Sequence, residues 1–303
     1  MMTARDLHHT RHVVLYSIAS GRARRSDDRA KIREFFKERK IPYVLVDFDR
    51  RKDKLENLDW AELLGSGPAR IVVVGGDGML RGVAEFVYQR KLPVAIGYLP
   101  RGSANVFAVV QGVPRRLHDA LEALLTRPER MLPVGVFNGR HVFLLGACFG
   151  RFAEYTLHAD SRLKRSVGYV AYGIAAIQRI WWFPRQPMTI TTPEARHAVH
   201  AHSLLVCTPA VAGTLFPRRS EKTHGLHGIA FMNYSLGGLI HGMAELYAAR
   251  SPSPRSLQIA GKTVHVEGAF HDRLHLDGDT VALAPNETLC TLEFVDDAVR
   301  FIG

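Results

Sequence analysis

Nine consecutive residues constrain this chain more than any others: Ile71-Val-Val-Val-Gly-Gly-Asp-Gly-Met79. Four successive apolar residues, all β-branched, suit a strand buried on both faces, as in the middle of a parallel sheet. Three glycines then fall within four positions, and Met79 to Arg90 continues with helical spacing. A strand that passes through glycines into a helix is the unit of an α/β fold. Glycine lets backbone N–H groups turn inward and approach phosphate oxygens closely, while the helix N-terminus adds the positive end of its dipole. The competing reading is an ordinary tight turn. No Gly-Lys-Ser/Thr follows, so this is not a Walker loop, and Arg81 stands where a GxGxxG motif needs its third glycine.

The flanking sequence repeats the pattern. His12–Ile18, Tyr43–Phe48 and Val94–Tyr98 read as further strands, and Asp28–Arg39, Leu55–Leu64 and a segment starting at Ser103 read as helices. Alternation of this kind predicts a doubly wound α/β domain over residues 1–131, and the glycine loop at the end of its third strand makes it the candidate nucleotide-binding domain. After Pro133 the runs shorten: 134–137, 142–146, 188–192, 201–207, 228–233, 256–260, 263–267 and 289–294, mostly separated by turn residues. Residues 132–303 are therefore expected to form a mainly β, sandwich-like acceptor-binding domain, the last residues being able to return to the first. Two helical stretches, 166–182 and 237–249, interrupt it.

Composition narrows the partners. A formal net charge of +11 favours anions, whether nucleotide phosphates, acidic lipid headgroups or nucleic acid. No RNA- or DNA-binding motif accompanies the charge, which sets nucleic acid aside. Cys148, Cys207 and Cys290 are scattered and form no CxxC, as in a chain kept in a reducing compartment. The polar start, Met1 to Arg11, lacks the apolar core of a secretory signal, and no apolar run reaches the roughly 20 residues that span a bilayer. A cytoplasmic protein is expected, with room for peripheral contact at the inner face of a membrane.

Asp77, inside the glycine loop, is unusual, because phosphates repel a carboxylate unless a metal or a transferable proton intervenes. It either caps the following helix or handles metal or an acceptor hydroxyl. A second constellation lies about 25 residues on, in Leu99-Pro-Arg-Gly-Ser-Ala-Asn-Val-Phe107. Here too a strand ends in a turn that opens a helix. Ser103 is suited to cap or to bind phosphate, and Asn105 to donate and accept. Open α/β sheets bind ligands at that edge.

Together these motifs resemble the diacylglycerol kinase catalytic-domain family, which includes bacterial lipid kinases, sphingosine kinases and ceramide kinases. The resemblance rests on Gly75–Met79, Pro100-Arg-Gly-Ser-Ala-Asn-Val-Phe-Ala108 and Asp277-Gly-Asp279, in the family's order and spacing. It implies a kinase that uses ATP and Mg²⁺ to phosphorylate a hydroxyl of diacylglycerol, a sphingoid base or a related lipid at the membrane surface. Gly75, Gly76, Gly78, Met79, Gly102, Ser103 and Asn105 would form the nucleotide site, with Asp47 after the second strand. Asp77, Asp277 and Asp279 would be the catalytic and metal-binding carboxylates, with the choice of base left open. The alternatives are a retired member of the fold that binds nucleotide or lipid, and a kinase for a soluble alcohol or a nucleotide.

Several positions depart from the family pattern. Gly82 stands for a Glu, Asp47 for a nucleotide-contacting Thr, Val106 for an acidic residue and Asp279 for a Glu. Phe152 and His224-Gly225 replace further acidic positions, the latter at a structural Mg²⁺ site of bacterial members. Elsewhere, apolar 167–183 reads as a core helix in preference to an acyl-chain pocket, and His197, His200 and His202 as an exposed strand in preference to a metal cluster. Arg22, Arg24 and Arg25 form a basic loop at the phosphate edge.

Overall fold

A computed structural model describes residues 8–18, 28–150, 185–215, 224–232, 256–268, 273–284 and 287–303. The chain divides into two compact units, residues 1–134 with 296–303, and residues 135–295.

The first unit is built on parallel strands in the order β2-β1-β3-β4, with β1 Arg11–Ser17, β2 Tyr43–Phe48, β3 Ala69–Gly75 and β4 Ala95–Pro100. Near the C-terminus, Arg300 and Phe301 extend the sheet, parallel to Ala95 and Ile96. The apolar run Ile71–Val74 is fully buried, as a central strand requires. Helices α1 (Asp28–Glu38), α2 (Trp60–Leu64), α3 (Asp77–Arg90), α4 (Val106–Val110) and α5 (Leu117–Thr126) connect the strands. Ile32, Phe35 and Phe36 of α1 and Ala120, Leu121 and Leu124 of α5 pack on Val14, Tyr16, Val72 and Val74. The alternate side chains, Val13, Leu15, Ile71 and Val73, are equally buried, and α3 packs on β3 and β4. The sheet is thus doubly wound, as expected.

At the other end of these strands a buried cation is anchored. Arg70 donates from Nε and Nη2 to Glu129 Oε1 at 3.0 and 2.8 Å, and from Nη1 to the Leu124 carbonyl at 3.0 Å. His12 is also fully buried; its Nδ1 bonds the Thr10 carbonyl at 2.9 Å, while its Nε2 has no hydrogen-bond partner among the described residues. Burial, and next the Arg70 charge, lower its pKa to about 4.

The second unit is antiparallel. Strand β5 (Glu129–Phe137) leads into it, followed by β6 (His141–Phe143), β7 (Gly146–Phe149), β8 (Gln186–Thr191), β9 (Arg196–Ala201) and β10 (Ser203–Cys207). After α6 (Pro209–Leu215) come β11 (Leu226–Phe231), β12 (Ser256–Gly261), β13 (Thr263–Gly268), β14 (Arg273–Leu276), β15 (Asp279–Ala282) and β16 (Leu289–Ile302). One sheet runs β12-β11-β10-β7-β14-β15; in the other, β13 lies between β8 and β16, with β9 beyond β8. Phe149, Leu204, Val206 and Leu276 from the first share a core with Ile190, Val264, Val266 and Leu292 from the second. This is the sandwich expected from the short runs. The long β16 serves both units, pairing with β13 first and with β4 at its end.

Several elements differ from expectation. Helix α4 starts at Val106 rather than Ser103, because Asn105 adopts a left-handed conformation (φ 51°) that no α-helix continues. Helices α5 and α6 and the β14–β15 hairpin have no counterpart in the sequence reading. The hairpin's four-residue strands are too short for a periodic signal, and its Asp277-Gly278 turn drew attention only as chemistry. Helical stretches 166–182 and 237–249, the arginines at 22, 24 and 25, and Phe152 lie outside the described residues. Among the described residues no helix is long and apolar enough to cross a membrane.

Candidate functional site

The two loops expected to meet at the carboxyl edge of the first sheet do meet, and backbone holds them together. The Gly75 carbonyl accepts N–H bonds from Arg101 at 2.7 Å and Gly102 at 3.0 Å. A Cβ on Gly102 would lie 2.5 Å from Gly76 Cα and 2.8 Å from Asn105 Oδ1, so only glycine permits this approach. Asn105 clasps the second loop, accepting from Gly102 N–H at 2.8 Å and donating from Nδ2 to the Gly102 carbonyl at 3.0 Å. Arg101 fixes the same loop from behind. Its Nε donates to Asp28 at 2.6 Å and its Nη1 to the Pro100 carbonyl, both buried, and Nη1 also reaches the Arg115 carbonyl in a part-buried setting.

Asp77 does not cap the helix it opens; it caps the next one. Val106 N–H donates to Oδ2 at 2.8 Å and Phe107 N–H to Oδ1 at 3.2 Å, which satisfies the start of α4, where Asn105 supplies no side-chain cap. The Tyr98 hydroxyl lies 3.4 Å from Asp77 Oδ1 and 3.2 Å from Asn105 Oδ1, within reach of both clasps. Burial raises the Asp77 pKa above the usual carboxylate range, against the opposing pull of the Val106 and Phe107 amides and Tyr98. Burial raises Tyr98 as well, followed by the neighbouring Asp77 charge.

The remaining candidates sort by what they still offer. Gly76 is the cap residue of α3 and gives no side-chain bond, so the first-turn N–H groups at Asp77 and Gly78 keep the character of an open helix N-terminus. Ser103 is exposed at the tip of the second loop. Gly102 and Asn105, by contrast, are buried and bonded to each other, and they shape the site from within. Met79 does likewise: its side chain is buried beneath Gly75 and its N–H bonds the Gly76 carbonyl at 3.0 Å. Asp47, one residue before the end of β2, lies beside Tyr16, which in turn lies beside Val74. It is therefore two strand spacings from the glycine loop, roughly 10 Å. Its Oδ1 accepts from Arg29 Nε at 3.1 Å, and the Arg29 guanidinium lies over the Tyr16 ring, 4.8 Å from its centroid.

Within the second unit, Asp277 occupies a turn with two left-handed residues, φ 52° there and 87° at Gly278. Two such residues between antiparallel strands make a two-residue hairpin. Its carboxylate receives three backbone N–H groups, from Leu144 at 2.6 Å, Leu145 at 2.8 Å and Gly146 at 2.9 Å. Its own N–H returns to the Gly146 carbonyl at 2.9 Å. Asp279, half-buried, opens the second strand of the hairpin opposite Leu276. The Asp-Gly dipeptide between Leu274/Leu276 and Val281 was the available signal for this hairpin.

Asp77 and Asp277 both accept from backbone amides within their own units. Among the described residues no three His, Cys, Asp or Glu side chains are grouped to hold a metal.

Comparison with known proteins bears on family and fold. Residues 11–137 match the model of the diacylglycerol kinase catalytic domain. An uncharacterized protein of Synechocystis is 26% identical over 235 residues, 75% of this chain and 54% of that protein. A Pseudomonas fluorescens protein named "Probable lipid kinase YegS-like" is 36% identical over 118 residues, 39% of each chain. The matched stretch thus spans about half, or less, of the length of these curated relatives. Among solved structures, a diacylglycerol kinase from Bacillus anthracis superposes with a TM-score of 0.65 at 15% identity, covering 97% of this chain and 96% of that one. An NAD kinase from Archaeoglobus fulgidus in complex with ATP superposes with a TM-score of 0.50 at 14% identity, covering 97% and 93%. These structural likenesses concern the fold.

Proposed function

We propose that this chain, whose residues 11–137 match the diacylglycerol kinase catalytic-domain model, transfers the γ-phosphoryl group of ATP to a lipid hydroxyl. The observation that carries the reading is the docking of two strand-end loops into one backbone cradle, Gly75–Gly78 against Gly102–Asn105. Open N–H groups at the start of α3, with Ser103 beside them, suit phosphate oxygens. In this reading Asp47, about two strand spacings away, would accept from a ribose hydroxyl. ATP arrives as its magnesium complex, the cation held by phosphate oxygens and water.

Phosphoryl transfer to an alcohol needs a group that takes the hydroxyl proton as the new O–P bond forms. Asp77 and Asp277 give oxygens to backbone amides, and we take Asp279, in the same Asp-Gly-Asp motif, as the candidate base. Asp277 then acts as a positioning residue that fixes the hairpin carrying it. Diacylglycerol, monoacylglycerol, sphingosine and ceramide all offer a suitable primary alcohol. The test is a transfer assay with labelled ATP, Mg²⁺ and mixed micelles of these four lipids, run on the wild type and Asp279→Asn. Label in one lipid that disappears in the variant supports the reading and names the acceptor. Nucleotide binding without label in any lipid would favour a retired site or a soluble acceptor.

A further inference from the structure

Helix α4, directly after the second phosphate loop, has two sides of different fate. Phe107 and Ala108 are buried, whereas Val106 is 38% exposed and Val109 59% exposed. Positions 106 and 109 are three apart and share a helix face. A single exposed valine is unremarkable on any protein surface. This pair differs because of its rim. Arg115 and Arg116 are both exposed, and the Arg115 carbonyl is held by Arg101 Nη1 at 3.1 Å, which keeps that turn against the loop. Arg130, also exposed, donates from Nη2 to Gln111 Oε1 at 2.6 Å, next to the end of α4. No carboxylate occurs anywhere from Ser103 to Leu117.

We propose that Val106, Val109, Arg115, Arg116 and Arg130 form a face that docks the first unit on an anionic lipid bilayer. The valines would enter the headgroup layer and the guanidinium groups would bind lipid phosphates. A second copy of the chain is the wrong occupant, since a two-fold contact would set these arginines against their own counterparts. The choice of a bilayer rests on the lipid-kinase reading, and it adds where the membrane lies: beside Ser103, at the mouth of the phosphate cradle.

Vesicle co-sedimentation tests the proposal, with phosphatidylcholine vesicles that contain or lack phosphatidylglycerol. Binding is expected only with the anionic lipid and should weaken as salt rises. Arg115→Glu/Arg116→Glu should lower it at least tenfold, at about fivefold for each arginine lost. Val106→Asp/Val109→Asp should lower it by a similar factor, while Val109→Trp should strengthen it. Lys31→Glu/Arg33→Glu, the same charge change on the outer face of α1, should leave it within about twofold if the effect is local. Thermal melts identify any variant that fails to fold, in which case Val109→Trp decides. Equal binding by wild type and both loss variants would overturn the proposal. So would equal binding to neutral vesicles, or a self-association that Val109→Asp abolishes without any vesicle binding.

A short-chain acceptor dispersed in detergent separates this proposal from the kinase reading. Val109→Asp should phosphorylate it as the wild type does while failing on vesicles. Vesicle binding through this face by a protein that phosphorylates no acceptor would leave the docking surface standing and sink the kinase.

Discussion

Asp77 in the parallel unit and Asp277 in the antiparallel unit both give their carboxylates to backbone N–H groups, yet the two arrangements achieve different things. Asp77 opens one helix and caps another, 29 residues on, so it ties together the ends of two neighbouring parallel strands. Asp277 sits in a left-handed turn and holds the start of β7 through three amides more than 130 residues away. In the parallel unit the carboxylate joins two strand-end loops through the start of a neighbouring helix. In the antiparallel unit it stiffens the hairpin that also carries Asp279. The same residue type, inside a motif of the same kind, thus serves two different backbone connections.

The division of labour between Asp277 and Asp279 predicts the largest effect. Asp279→Asn should lower kcat about a thousandfold with little change in the melting temperature. Asp277→Ala should instead destabilise the protein by about 3 kcal/mol in urea titration, because three amides lose their acceptor. A stable Asp277→Ala with kcat abolished would reverse the two roles.

On the parallel side the prediction concerns glycine. Gly102→Ala should cost about a hundredfold in kcat/KM for ATP, since its methyl would push the two loops apart. Unchanged kinetics would mean that the loops do not act as one cradle.

Acid should weaken the parallel unit in particular. His12 has a pKa of about 4 when folded, against an ordinary imidazole value of 6.5, so the unfolded chain binds the extra proton between those values. Stability is thus lost as pH falls from 6.5 toward 4, by about 3 kcal/mol in all. Asp77 acts in the opposite sense: its raised pKa makes the folded state bind its proton more tightly, which favours folding at acid pH and fades as pH rises through that pKa. His12→Phe should flatten the acid loss in urea titrations run across this range, and a profile identical to wild type would remove His12 as its source.

The smallest effect distinguishes the motif's glycines from one another. A Cβ at Gly82, inside α3, meets nothing within 4 Å. Gly82→Ala should raise stability by roughly 0.5–1 kcal/mol through helix propensity and leave turnover unchanged, a difference visible by calorimetry.

Much of this was legible in the residues themselves. Four β-branched residues ending in glycines marked β3 and its loop, because a strand buried on both faces tolerates little else. The second loop was legible for the same reason, and the short runs after Pro133 announced a sandwich. The direction of side chains was not. Whether Asp77 faces a phosphate, its own helix or a neighbouring one depends on where α4 begins, and that depends on the left-handed Asn105. Whether Asp277 reacts or supports depends on amides at 144–146, far away in the chain. Local pattern decided which strands and turns could form, since periodicity and glycine act over a few residues. Only the tertiary structure decided which polar groups were already satisfied, since a hydrogen-bond partner is chosen by distance in space.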